Sequence, residues 1–225
     1  MTHEGRSLIQ LDVGIAVRVG VLGTKPLQPR EVALTAVMTA ATAAVTMVIS
    51  IPFPPTRGYF NLGDAMVMLA GLLFGARLGG IAGGVGSAIS DILLGYAYFS
   101  PLTLFIKGTE GFLTGLIGNN RRLPLKVAGV VAGAIAMLLG YFSVETPLYG
   151  VGAAFAELVT INSLQVLSGA VVSLLLCQAI LKAYPDIKFL QPRHEGLRVG
   201  VIMVIVATLV LAGIVGVYLL TGISP

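Results

Sequence analysis

Residues 125–144 read LKVAGVVAGAIAMLLGYFSV, twenty positions in which Lys126 is the only charged side chain. As a helix, a run of this length rises about 30 Å, the thickness of a bilayer's hydrocarbon core. Reading outward, comparable apolar runs lie at 31–51, 62–74, 78–95, from after Pro101 to near Gly118, at 152–181 and at 199–220. The pattern predicts an all-α membrane protein with seven spans, the second one short. Pro52-Phe53-Pro54-Pro55 closes the first span, because proline cannot donate to a helical ladder. Gly75-Ala76-Arg77 breaks the second from the third. The predicted organisation is an N-terminal extension (1–30), a six-helix core (31–182), a polar linker (183–198) and one additional C-terminal transmembrane helix (199–225).

The whole composition agrees with that reading. Of 225 residues, 56% are hydrophobic and 11% charged, against about 25% charged in soluble domains, too few to cover a water-facing surface. A soluble enzyme is excluded. The net charge of +4 comes from basic residues scattered in the gaps between apolar runs, with no stripe suited to nucleic acid. The single cysteine, Cys177, rules out an internal disulfide, and His3 and His194 fall in polar segments, so no metal site is expected. Arg6, Asp12 and Arg18 interrupt the first thirty residues, where neither a span nor a signal peptide is expected. The alternation from Ile9 to Val21 there suits a short hairpin or a surface-lying segment.

Charge placement orients the chain. With the N terminus in the cytoplasm, twelve of the 14 Lys and Arg fall on the inner side, leaving Arg57 and Lys107 on the other, as the positive-inside rule requires. Asp64, Asp91, Glu110, Glu145 and Glu157 then occupy the outer halves of their spans or lie just beyond. Ionisable groups at membrane depth cost about 2.5–3.5 kcal/mol each on insertion scales and normally face a wet cavity. An outward-facing polar cavity of net charge about −3 is the expectation.

The candidate residues each carry two readings. Asp64 and Asn61, at the mouth of the second span, either fix the helix start or contact a ligand. Lys107 and Glu110 are three apart on one helix face. They either neutralise each other or present Lys107 to a ligand with Glu110 orienting it. Glu157 and Gln165 differ by eight positions and share a face, with Asn162 to one side; Asn and Gln here either glue helices together or meet a ligand. Asp91 is placed to bond Tyr96, Tyr98 or a neighbouring helix. Tyr59, Phe60, Tyr96, Tyr98 and Phe99 form an interfacial belt or stack on a flat ligand. Ala36, Ala40 and Ala44 make a smooth ridge that suits close approach of a helix, within the chain or from another protein. Gly79, Gly80, Gly83, Gly84 and Gly86 lack the strand before and the Gly-Lys-Ser/Thr ending after that a phosphate loop needs. They read as packing glycines, and no ATP site is expected on this chain.

Taken together, Phe60-Asn61-Leu62-Gly63-Asp64, Leu72-Leu73-Phe74-Gly75, Gly86-Ser87-Ala88 to Asp91 with Gly95-Tyr96, and Pro101-Leu102-Thr103 leading to Ile106-Lys107-Gly108-Thr109-Glu110-Gly111 resemble the substrate-binding (S) components of energy-coupling-factor (ECF) vitamin transporters. The group they are most similar to handles hydroxymethylpyrimidine, pyridoxine and riboflavin, and the resemblance covers residues 31–182. It implies a six-helix membrane subunit that captures a vitamin or precursor. Such a subunit associates with a transmembrane coupling (T) protein and two cytoplasmic ATPases, and reorients as they use ATP. It also implies that Ala36, Ala40 and Ala44 dock the coupling protein and that the loop 52–60 acts as a lid. Lys107, Glu110, Glu157 and Asn162 then stand where the ligand is held, with Phe60, Asn61 and Asp64 completing the candidate site. The seventh span and the N-terminal extension lie outside the six-helix pattern.

Two further functions compete. A stand-alone proton-coupled secondary transporter would titrate Asp64, Glu110 or Glu157, but no internal repeat supports it. An intramembrane enzyme lacks a nucleophile with its base or a metal triad, so the chain is read as not an enzyme. The negative cavity with aromatic neighbours favours a flat, hydrogen-donating or weakly basic heterocycle over a phosphate or a carboxylate.

Overall fold

A computed structural model describes residues 28–120 and 122–184. The seventh span, the linker and nearly all of the N-terminal extension expected from the sequence lie outside these residues. Among the described residues the chain is mostly helical. The order is α1 (Pro29–Val48), β1 (Ser50–Phe53), β2 (Gly58–Asn61), α2 (Gly63–Phe74), α3 (Ala76–Leu93), α4 (Ser100–Gly118), α5 (Leu123–Tyr149), α6 (Val151–Glu157), a π-helical turn (Leu158–Asn162) and α7 (Ser163–Ala183). Residues 28–32 belong to a first unit and the remainder to a second. In the first, the Gln28 N–H donates to Glu31 Oε2 at 2.8 Å, half of a capping box.

In the second unit α2 is the hub. Val67, Met68, Ala70 and Leu72 have no exposed surface, and twelve residues rise only about 18 Å, too short to cross a bilayer. Gly75, at φ 88°, ends α2 in a conformation that side chains resist, and α3 begins at once, two residues earlier than expected. Close contact with α4 follows from missing side chains: a Cβ at Gly71 would stand 2.6 Å from the Gly111 carbonyl oxygen.

Among the described residues, three helices are long and apolar enough to span a membrane by length and composition: Pro29–Val48, Leu123–Tyr149 and Val151–Ala183, with mean hydropathies of 1.6, 2.1 and 2.1. The last, 33 residues counted through the π turn, rises about 50 Å and must tilt or project. Their outer faces are apolar: Val127, Val131, Ile135 and Leu139 on α5, and Leu164, Leu167, Val171 and Leu175 on α7, are all exposed. Polar and charged residues lie inside, the distribution expected of a protein in lipid.

Two further boundaries shift. The first helix stops at Val48 rather than near residue 51. The fifth runs on through Pro147 to Tyr149, ending at Gly150 with φ 86°. Where the sequence reads a loop, residues 50–61 form an antiparallel hairpin pairing Ser50 with Asn61 and Phe53 with Gly58. Both strands of a two-stranded ribbon are edges, the place in a sheet where a proline such as Pro52 is tolerated. At its tip Arg57 adopts φ 55°, a left-handed conformation uncommon outside glycine.

Candidate functional site

A buried polar network ties the hairpin to three helices. Lys107, 2% exposed, projects from α4, ion-pairs with Asp64 of α2 and donates to Glu110 Oε2 at 3.0 Å. The i,i+3 spacing on one helix supplies the second contact; the first joins residues 43 positions apart. Gln165 of α7 donates from Nε2 to Asp64 Oδ1 at 3.0 Å. Its Oε1 accepts from both the backbone N–H and Nδ2 of Asn61, each at 3.0 Å. Asn61 Oδ1 in turn accepts from the Gly63 N–H at 2.8 Å. The helix-start role considered for both Asn61 and Asp64 therefore falls to Asn61. Asp64 makes no cap and is a partner of Lys107 and Gln165.

Above this network lies a cavity of about 460 Å³, its open mouth included. Thr46 of α1 lines it, with Arg57, Gly58, Tyr59 and Asn61 of the hairpin, Ser87 and Asp91 of α3, and Phe99, Thr103 and Lys107 at or on α4. Tyr141 and Glu145 of α5 and Glu157, Asn162 and Gln165 complete the wall. Lys107 Nζ stands 5.7 Å from the Tyr141 ring centroid, within cation–π range, and Tyr141 donates to Thr103 Oγ1 at 3.2 Å. The hairpin is held down at two points. Thr56 donates to Glu157 Oε2, and Tyr59 donates to Asp91 Oδ1 at 2.7 Å. Burial, and then the Asp91 charge, push the Tyr59 phenol up, so it remains a neutral donor. Tyr59 also stacks on Tyr96, centroids 4.7 Å apart.

The structure sorts the sequence candidates. Asn61, Lys107, Glu157 and Asn162 line the cavity, while Asp64 and Glu110 stand behind Lys107 and do not. Phe60 is half-buried on β2 opposite Ile51 and is not part of the wall. Asp91 accepts from Tyr59 of the hairpin, with Thr103 of the neighbouring helix α4 also against it. Asn162 does not sit to one side of Glu157. The π turn between them bonds i to i+5, which brings residues five apart onto one face, and both meet the cavity. Ala36, Ala40 and Ala44 are exposed, whereas Thr35, Met38, Thr42, Ala43 and Thr46 form the buried face of α1. Sequence reasoning missed Arg57, Thr46, Thr103 and Tyr141 as wall residues. The threonines of α1, recurring at 35, 39, 42 and 46, are the signal that could have marked its inward face.

The family model for the ECF-type riboflavin transporter, S component, matches residues 27–182. The chain belongs to this family. A relative from Lactococcus lactis subsp. cremoris (strain MG1363), the thiamine precursor transporter HmpT, is 30% identical over 152 residues, 67% of this chain and 87% of the relative. An uncharacterized protein from the gap 3' region of Pyrococcus woesei is 45% identical over 136 residues, 59% of this chain and 88% of the relative. This S component is thus a multi-pass membrane protein of the transport class, and its cavity lies wholly within the family match.

Proposed function

We propose that this S component is the substrate-capture subunit of an ATP-driven ECF-type importer for a vitamin or vitamin precursor, a small flat heterocycle of the hydroxymethylpyrimidine, pyridoxine or riboflavin kind. The observation that carries the reading is the open-mouthed cavity lined with polar side chains, built from five helical rods and a hairpin strapped over it through Thr56 and Tyr59. Tyr59, Phe99 and Tyr141 offer flat faces. The HmpT relationship supports a thiamine precursor among the candidates.

On this reading a transmembrane coupling protein and two cytoplasmic ATPases are the partners, and ATP is used by them. This chain carries no cofactor and performs no catalysis. The exposed alanine ridge of α1 supports a docking role, since no described residue covers it. The N terminus is cytoplasmic and the six-helix core is followed by a seventh span, as charge and hydropathy patterns argue. Mass spectrometry of small molecules that copurify with the detergent-solubilised protein, followed by titration with the three candidate heterocycles, tests the reading. A copurifying vitamin-like heterocycle is expected; failure of all three to bind to ligand-free protein would contradict it.

A further inference from the structure

We propose that Arg57, at the tip of the hairpin, is the counter-charge of the Glu145–Glu157 pair, and that an Arg57–Glu145 ion pair formed across the cavity mouth retains a bound ligand. The inference rests on the capture reading and adds to it the residues that set how long the ligand stays. Glu145, in the last turns of α5, is 1% exposed, and Glu157, at the end of α6, is 3% exposed. Both line the cavity and lie within electrostatic reach of each other. Buried carboxylates need a positive partner or a full set of donors. Glu157 accepts from Thr56, but Glu145 Oε2 has no hydrogen-bond partner among the described residues.

Among the described wall residues the positive side chains are Lys107 and Arg57. Lys107 is held by Asp64 and Glu110. Arg57 is exposed, and no acid among the described residues pairs with it in this structure. Its backbone already sits beside the acidic pair. Thr56 before it donates to Glu157, and Gly58 after it lies so close that a Cβ there would strike the same carboxylate. Tyr149, one helical turn past Glu145, is within electrostatic reach of Arg57, Glu145 and Glu157 together. Arg57 also holds φ 55°, a conformation that costs a residue with a side chain and persists where its surroundings demand it. A guanidinium matches a carboxylate with two parallel hydrogen bonds, which fills the open position on Glu145 and leaves the Thr56–Glu157 bond in place. Ligand in the mouth displaces water, and opposite charges attract more strongly as the surrounding dielectric falls. By linkage, the pair tightens the hold on the ligand to the same extent.

The test measures dissociation of ligand from the full-length protein in detergent, using whichever of hydroxymethylpyrimidine, pyridoxine and riboflavin binds most tightly. Arg57→Gln is expected to speed dissociation at least tenfold, about 1.4 kcal/mol of barrier, while changing association little, because the pair forms after entry. Arg57→Lys keeps the charge and is expected to recover part of the loss. Glu145→Gln is expected to match Arg57→Gln, and the double variant to dissociate no faster than either, since both remove one interaction. Should Glu145→Gln not fold, Glu145→Asp, which keeps the charge but draws it back, replaces it with the same non-additivity expected. Trypsin gives a second reading on protein that retains Arg57: saturating ligand should protect the Arg57–Gly58 bond in wild type and leave it open in the Glu145 variant. Additive effects in the double variant, an effect confined to association, or equal protection in both proteins would overturn the ion pair and leave the capture reading standing. Failure of wild type to bind any of the three heterocycles would bring down both.

Discussion

Lys107 is the residue on which the site turns, because it belongs to the cavity wall and to the buried network at once. Removing one member of a buried ion pair costs about 3–5 kcal/mol, since the partner is left uncompensated. Lys107→Met strands both Asp64 and Glu110, so we expect a clear fall in thermal stability together with at least a tenfold loss of ligand affinity. Glu110→Gln leaves the Lys107–Asp64 pair intact and is expected to cost less in both measurements. If Lys107→Met binds ligand normally and only melts earlier, the lysine is a structural partner and nothing more. A second test lies at the hairpin. A Cβ at Gly58 would run into the Glu157 carboxylate, so Gly58→Ala should displace Glu157 and weaken binding, read by the same titration. The Lys107–Glu110 contact was legible in the sequence because three residues is less than one helical turn. Asp64 as the second partner was not, because nothing local records a pairing across 43 positions.

At the scale of elements, α1 shows how far periodicity carries. Its threonines pack inward, where Ser90 donates to the Ala43 carbonyl at 3.2 Å and Thr42 and Thr46 are buried. The alanines are left outside. Burial rather than hydrophobicity distinguishes the two faces, since alanine and threonine are both small, and so the sequence alone left the ridge open between internal packing and docking. Because the ridge is exposed, replacing Ala36, Ala40 and Ala44 together by Leu is expected to leave melting temperature and ligand affinity nearly unchanged while abolishing ATP-dependent uptake. Loss of binding along with uptake would return the ridge to a packing role. The hairpin was not legible, because prolines at 52, 54 and 55 mark a helix end but say nothing of a ribbon without interior strands. Neither was the π turn, whose single extra residue leaves no trace in the hydrophobic pattern yet decides that Glu157 and Asn162 share the cavity wall.

For the whole molecule, membrane insertion and the position of the core helices were legible because lipid imposes its demand on every residue of a span. The short, largely buried α2 was found because its apolar run is bounded by Gly63 and Gly75. The cavity was legible only as a surplus of acids in the outer half. Which acids face ligand and which face Lys107 depends on how α2, α4, α5 and α7 come together, and that is a tertiary fact. The proposed orientation can be tested as well. In an otherwise cysteine-free chain, a cysteine at Ser224 is expected to react with an impermeant reagent from outside and one at Thr2 is not; equal reaction of both would overturn the orientation. The central claim, that this chain captures and does not transport alone, is tested most directly by uptake of its ligand into proteoliposomes. With this chain alone we expect binding and no accumulation, even under an imposed proton gradient, and with the coupling protein and ATPases we expect accumulation that requires ATP. Accumulation driven by a proton gradient in vesicles containing this chain alone would contradict the account.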